Sequence, residues 1–414
     1  MSKHPLKVLH VLEKSLPDTG GYTIRARAII ENQIKLGMEV VVVTSPLMPR
    51  EMVKGEVETL FGVRHHRTNH IPVPDSARTR VGRYITRALM LYRYRKALSK
   101  IVAAERPDVI HAHSSYLNAL AAVPAARRHG LPLVYEVRTL WGESAVIEDG
   151  LAIDSWRYRM VWRLELSAMR NATAVVPIAT GIRDELVRRG VPAGKMTVVG
   201  NGVDSSRFVA RERDPALASR HRLDGKFVVG FIGTMRRLEG LSTLVQAFAA
   251  ARARRQDMAL VLVGDGPDKA DLEALAAKLG IRDVLFTGTV PHDQVAAWYS
   301  VMDVLVYPRI RATINERVTP LKPLEAMALG KVCVASDVGG LTELVTDGET
   351  GVIFEAGNHE SLARALEGLM DDRPRLAKLA RQGTEYVRRE RDWSAIIPRT
   401  RELYESLRSG TARA

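Results

Sequence analysis

Short, nearly continuous runs of apolar and β-branched residues recur along the chain, separated by stretches with helical spacing. The first run is Leu6 to Leu12. The loop SLPDTGGYT follows, and the apolar positions from about Thr23 to Leu36 predict a helix that Gly37 ends. Val40 to Thr44 reads as a second buried strand. DVIHAH (108–113) then predicts a strand, Tyr116 to Arg128 a helix, and PLVYEV (132–137) and TAVVPIA (173–179) two more strands. Unbroken apolar runs joined by helices are the pattern of parallel strands covered on both faces.

The pattern restarts after NGVDSSRF (201–208) and the polar linker ARERDPALASRHRLDGK. KFVVGFIG (226–233) predicts a strand leading to a helix over about Leu241 to Arg254. MALVLVGDG (258–266) leads to a helix from Ala270 to Leu279, and VLFTG (284–288), DVLVYP (303–308) and KVCVAS (331–336) predict further strands. Two successive sets of βα units predict an α/β protein of two doubly wound, Rossmann-like domains, residues 1–200 and 201–392. Ligands in such sheets bind outside the carboxyl ends of strands, so the cleft between two such domains is the expected site.

Composition removes several classes. Of the 414 residues, 46% are hydrophobic and 26% charged, which excludes a disordered or collagen-like chain. No run of eighteen apolar residues exists, and the first residues lack a signal-peptide layout. A single cysteine, Cys333, excludes a disulfide framework. The expected location is cytoplasmic. The net charge of +14 is lopsided: residues 1–200 hold 30 basic and 18 acidic residues, residues 201–414 hold 31 and 29. Such a bias suits a polyanion, an anionic membrane or a phosphorylated substrate.

Five loops carry candidate chemistry. Gly20-Gly21 opens the first predicted helix, where backbone N–H groups can meet an anion, although neither G-x-G-x-x-G nor a GK[ST] sequence is present. His111 and His113 share one face of a strand end, open to acceptor-side contacts or to a structural role; no third ligand cluster points to a metal. Glu136 and Arg138 leave the next strand on one side, as acceptor-side groups or as a mutual ion pair. Arg236 and Arg237 follow VGFIGTM, where guanidinium forks suit a diphosphate. In VTPLKPLEAMALGK, Pro320 and Pro323 bracket Lys322 before a helix expected near Pro323, with Glu325 in its first turn.

Taken together in order and spacing, the GG loop, PDVIHAH, VVGNGVD, VGDGP, FTGTVPH and LEAMALGKVCVASDVGGLTELVTDGETG resemble the family-4 retaining glycosyltransferases of GT-B fold. The resemblance covers almost the whole chain. It implies that the second domain binds a nucleotide sugar, that the first binds the acceptor, and that a final helix, about 393–410, crosses back to the first domain. It places Glu325 on the donor ribose and Lys322 on its diphosphate, and lets Gly288 to Val290 read the base, which suits a uracil. Gly21, Gly233, Gly266, Pro323 and Leu324 complete the implied donor site. Several family positions differ. The first glutamate of E-x7-E falls on Arg317, with Glu316 one place off. The usual phosphate arginine and lysine align with Thr234 and Glu239, and the cleft histidine with Arg138. The TPLK loop is similar to a subgroup acting in exopolysaccharide assembly.

The expected reaction is metal-independent, cofactor-free transfer with retention, from a nucleotide sugar, UDP-linked by expectation, to a hydroxyl of a glycan or lipid-linked acceptor. No D-x-D triplet is present. Charge on the departing diphosphate would be met by positioned cations, with Arg237, Lys322 and Arg138 expected in that role. A nucleotide-sugar binder without transferase activity and an epimerase are the competing readings. Residues 78–106 carry nine basic residues and one acidic. Arg80, Arg83, Arg87 and Lys100 interleave there with Ile85, Leu89, Leu91, Tyr92 and Leu98, a pattern suited to an anionic membrane surface rather than nucleic acid.

Overall fold

The computed structural model describes residues 4–18, 20–73, 80–148, 150, 152–153 and 155–410; of residues 80–84, 147, 148 and 292 only the backbone is described. The chain divides into two compact units, residues 1–200 with 396–414, and residues 201–395.

In the first unit the strands are β1 (Lys7–Leu12), β2 (Glu39–Thr44), β3 (Val57–Leu60), β4 (Val63–Arg67), β5 (Val109–His113), β6 (Leu133–Val137) and β7 (Ala174–Pro177). They form one sheet in the order β3-β4-β2-β1-β5-β6-β7, parallel except for the β3–β4 hairpin. Burial is complete along β5, β6 and β7, as the unbroken apolar runs require of a sheet covered on both faces. The β3–β4 pair was not visible as apolar runs. Its sequences, VETL and VRHHR, are mostly polar, and burial alternates along them, with β3 at the sheet edge. The first helix begins at Gly21, two residues earlier than its apolar spacing indicates, with Gly20 in an extended N-cap conformation. The helix Trp156–Asn171 was also unanticipated; Ser155 caps it by accepting the Tyr158 N–H at 3.2 Å.

The second unit holds β8 (Phe227–Ile232), β9 (Met258–Val263), β10 (Val284–Gly288), β11 (Val304–Tyr307), β12 (Val332–Ser336) and β13 (Gly351–Phe354). The order is β10-β9-β8-β11-β12-β13, and every pairing is parallel. Helices Leu241–Arg252 and His359–Asp371 pack their apolar faces onto the sheet, contributing Leu244, Phe248, Leu362 and Leu366 to one core. The final helix, Trp393–Arg408, starts in the second unit and continues into the first. None of the described helices is long and apolar enough to cross a membrane.

Strand order reverses between β1 and β5 in the first sheet and between β8 and β11 in the second. At such switch points the loops leaving neighbouring strands diverge and open a crevice at their carboxyl ends. Of the sequence-predicted site residues, His111 and His113 lie in β5, Glu136 in β6, and Gly233, Arg236 and Arg237 in the loop after β8.

Candidate functional site

The first switch point is filled by a ring of buried side chains, joined in a hydrogen-bonded chain that runs from Arg138 to His111. Parallel register pairs His10 with His111 and His113 with Glu136, which sets four polar side chains on one sheet face. All are buried, at 0–1% exposure. Arg138 Nη2 lies 2.5 Å from His113 Nδ1, so that nitrogen accepts and carries no proton. The remaining tautomers follow. His113 Nε2–H donates to His10 Nδ1 at 2.7 Å, and His10 Nε2–H donates to Gln33 Oε1 at 2.7 Å. Gln33 Nε2 donates to the Tyr404 hydroxyl at 3.2 Å, and that hydroxyl donates to His111 Nδ1 at 2.6 Å. His111 Nε2 is left without a hydrogen bond, 3.9 Å from Glu136 Oε2. Glu136 in turn accepts from Arg138 Nε at 2.6 Å and from Arg25 at 3.3 Å.

The charges in this ring are set by its seclusion. Burial pushes the His10 pKa down to about 3 and that of His113 to about 4, and takes His111 well below the ordinary histidine range. Burial opposes ionisation of Glu136, but Arg25 and Arg138 overcome it and hold its carboxyl well below the usual range. The structure also supplies a third imidazole that the H-A-H spacing could not show. Ligand nitrogens of His10, His111 and His113 lie within 4.8 Å of one another, close enough for one cation. Two guanidinium groups on one carboxylate already leave the cluster positive, so a divalent ion would add unbalanced buried charge. The residues fit a sealed ring better than a metal cage. His111, His113, Glu136 and Arg138, the sequence-predicted acceptor-side set, are thus brought together, but inside the unit with their polar groups turned on one another. Of the alternatives the sequence left open, the structure displays the mutual Glu136–Arg138 pair and structural histidines.

A pocket of about 160 Å³ opens beside them, lined by Glu13, Lys14, Asp18, Gly20, Tyr22, Thr23, Ser114 and Trp141. Glu13 and Lys14 follow β1, and Ser114 follows β5, so this is the crevice of the first switch point. Burial raises the Glu13 carboxyl. Asp18 accepts from Thr23 Oγ1 at 2.6 Å and from the Gly20 N–H at 3.1 Å, which shapes the GG loop. Gly21 is the first residue of the helix beyond it. Apart from the glycines, this pocket is not legible in the sequence, because Glu13, Lys14 and Asp18 form no recognisable motif.

The second switch point is built around Lys322. Its backbone carbonyl accepts from the Tyr307 hydroxyl at 3.0 Å, and its ammonium lies over the Phe231 ring at 4.6 Å. Gly233 makes room for it: a Cβ there would fall 2.3 Å from Lys322 Nζ, and φ is +147°. Gly266 is equally close-packed, with a Cβ position 2.2 Å from the Met235 carbonyl oxygen. Glu239 Oε1 accepts from Arg309 Nη2 at 3.1 Å and faces Lys322 Nζ at 3.6 Å, while its Oε2 is buried without a hydrogen bond. The position that the family resemblance assigns to a lysine therefore carries the carboxylate that faces the ammonium. Burial lowers the Lys322 pKa and Glu239 pulls it back; burial opposes ionisation of Glu239, and Arg309 and Lys322 drive it. Lys322 remains one-quarter exposed.

The helix expected near Pro323 spans Lys322–Ala328, with Pro323 and Leu324 buried and Glu325 half-buried in its first turn. Burial raises the Glu325 carboxyl, against the pull of Lys322. Arg236 and Arg237 lie exposed in the loop after β8. Gly288 ends β10 and bridges to Gly264, and Val290 packs partly buried against the core. Glu316 accepts the Gly339 N–H at 2.7 Å and pairs with Arg311 at 3.3 Å, and Arg317 ends the short helix beside it. Arg309 was missed by sequence reasoning; nothing in YPRIRA distinguishes it from a surface arginine.

Two doubly wound parallel sheets, each with polar groups gathered at its switch point, define a GT-B architecture. The profile described as glycosyl transferases group 1 matches residues 214–386, and that of the glycosyl transferase 4-like domain matches residues 20–202. A 2-deoxystreptamine glucosyltransferase of Streptomyces kanamyceticus is 32% identical over 305 residues, 70% of this chain and 76% of that protein. A GDP-mannose-dependent alpha-mannosyltransferase of Mycolicibacterium smegmatis is 29% identical over 404 residues, 97% of this chain and 98% of that one. The crystal structure of Anabaena HepE in complex with UDP shares the fold, with a TM-score of 0.72 at 17% identity over 97% of this chain and 100% of that one. The chain belongs to the group 1 glycosyl transferases, and it is a glycosyltransferase.

Proposed function

We propose that the protein transfers a sugar from a nucleoside diphosphate sugar to a hydroxyl of a glycan or lipid-linked acceptor, with retention and without a metal. The observation that carries this reading is Lys322, a partly exposed ammonium fixed at the switch point of the second unit by Tyr307, Phe231, Gly233 and Glu239. An ammonium in a preorganised, half-buried setting stabilises charge that develops on a departing diphosphate. Arg236 and Arg237 are close enough in sequence to join it on the phosphates. Glu325 would meet the ribose, and Gly288 to Val290 the base. UDP is the first probe, because the Anabaena relative of this fold was solved with it; the mannosyltransferase relative makes GDP-mannose the second.

The pocket at the first switch point would take the acceptor. It combines carboxylates that accept hydroxyl protons, Glu13 and Asp18, with the aromatic rings of Tyr22 and Trp141, a mixture suited to a sugar.

The helix Arg80–Glu105 would rest on an anionic membrane. Met90, Tyr94 and Leu98 face the core, so Leu98 does not belong to the outward pattern expected of it. Ile85, Leu89 and Tyr92 are 56%, 48% and 61% exposed at helical spacing. Arg93, Lys96 and Lys100 line an adjoining groove of about 430 Å³. Residues 78–79 and the side chains of Arg80 and Arg83 lie outside the described residues.

The test is a thermal-shift panel of UDP and GDP sugars followed by transfer assays on lipid-linked acceptors. A ligand at 100 times its Kd stabilises by about 2.7 kcal/mol. Stabilisation by none of the nucleotides would remove the donor reading. Conversion of the donor without an acceptor would replace transfer by epimerisation.

A further inference from the structure

We propose that Glu239 is a positioning residue that holds Lys322 and Arg309 together as one two-cation receptor for the donor diphosphate. This rests on the donor reading above and adds two residues to it. The geometry is specific. One carboxylate oxygen of Glu239 serves both cations, at 3.1 Å to Arg309 and 3.6 Å to Lys322. The three side chains come from the segments that flank the switch point: Glu239 follows β8, Arg309 follows β11, and Lys322 opens the helix Lys322–Ala328.

Without a carboxylate between them, an ammonium and a guanidinium confined to the same half-buried crevice would repel each other and turn towards water. With it, both remain in place before the ligand arrives, and the trio still carries one net positive charge. A diphosphate can then bind by joining an existing pair rather than by assembling one, which lowers the ordering cost of binding. The bare Oε2 of Glu239 shows that the carboxylate is not consumed by other partners. The close approach of Lys322 to Gly233 leaves the ammonium little freedom to find a different seat.

The charged groups facing Lys322 are Glu239, Arg309 and Glu325. Glu239 and Glu325 favour its protonated form; burial and Arg309 oppose it. Removing the Glu239 charge therefore lets Lys322 lose its proton at lower pH.

The decisive experiment measures kcat and KM for the nucleotide sugar, and nucleoside diphosphate affinity by calorimetry, from pH 7 to pH 10 in the wild type and Glu239→Gln. The expected result is a fall of about tenfold in kcat/KM, mainly through KM, with the alkaline limb moved down by about one pH unit. Unchanged or tighter nucleotide binding with an unmoved limb would overturn the proposal, since a carboxylate that merely repels the ligand gives that result. A second pair guards against a folding defect: Glu239→Lys combined with Lys322→Met should exceed Lys322→Met alone in nucleotide affinity, because it returns an ammonium to the same crevice. Equal affinity of the two would count against the proposal. If the wild type itself binds no nucleoside diphosphate, the donor reading fails instead.

Discussion

The two switch points contain similar groups in opposite states. In the first unit, three imidazoles, a carboxylate and two guanidinium groups are sealed from water, and all but one of the imidazole nitrogens already have partners. In the second, one carboxylate faces two cations, and Lys322 is one-quarter exposed. The difference lies in what a ligand can reach. Both clusters carry one surplus positive charge, but a buried network specifies one packing, whereas a half-open cluster can offer its charge to a ligand. Residue type does not distinguish them; exposure to water does.

Charge removal should separate the two clusters most. Glu136→Ala leaves Arg25 and Arg138 buried without a counter-charge and should cost about 3–5 kcal/mol of stability in urea unfolding. Glu239→Ala, beside cations that can reach water, should cost only about 1 kcal/mol. Equal losses would erase the distinction.

Acid should separate the units next. The ring histidines are neutral in the fold, with pKa values about 3 and 4 for His10 and His113, against an unfolded value near 6.5. Between these limits the unfolded chain binds more protons, so their contribution is complete above about pH 6.5 and fades as pH falls towards 4. Hydrogen exchange at pH 5 is expected to show β1, β5 and β6 losing protection before β8 and β9. Uniform loss would contradict it.

Smaller effects refine the second site and the surface. Arg237→Ala should lower kcat/KM about tenfold, less than any change at Lys322, because Arg237 is exposed and screened. Lys100→Ala should weaken binding to vesicles containing anionic lipid about fivefold, since each surface cation is worth about 1 kcal/mol there. Binding indifferent to lipid charge would remove the membrane role.

Most of the fold was legible because parallel strands buried on both faces announce themselves as unbroken apolar runs, such as VVGFI and ALVLV. The hairpin β3–β4 was not, since six of its nine side chains are polar. At the sites, Lys322 and Gly233 stood out by their prolines and strand-end context. His10 did not, because its meeting with His111 depends on strand register, which local sequence does not encode. Arg309 and the Glu13 pocket are assembled by loops whose paths only the fold defines. By alignment Glu239 stands where the family resemblance expects a phosphate lysine; in space it is the partner of two cations, Lys322 and Arg309.

Lys322 is the ammonium proposed to meet the donor diphosphate. Its most direct test is calorimetric titration of UDP and GDP into the wild type and Lys322→Ala, with melting temperature measured alongside. A charge-assisted contact of about 1.5–3 kcal/mol predicts a loss of about 10- to 100-fold in affinity for the preferred nucleotide, with little change in melting temperature. Equal nucleotide affinity in the two proteins would contradict the account.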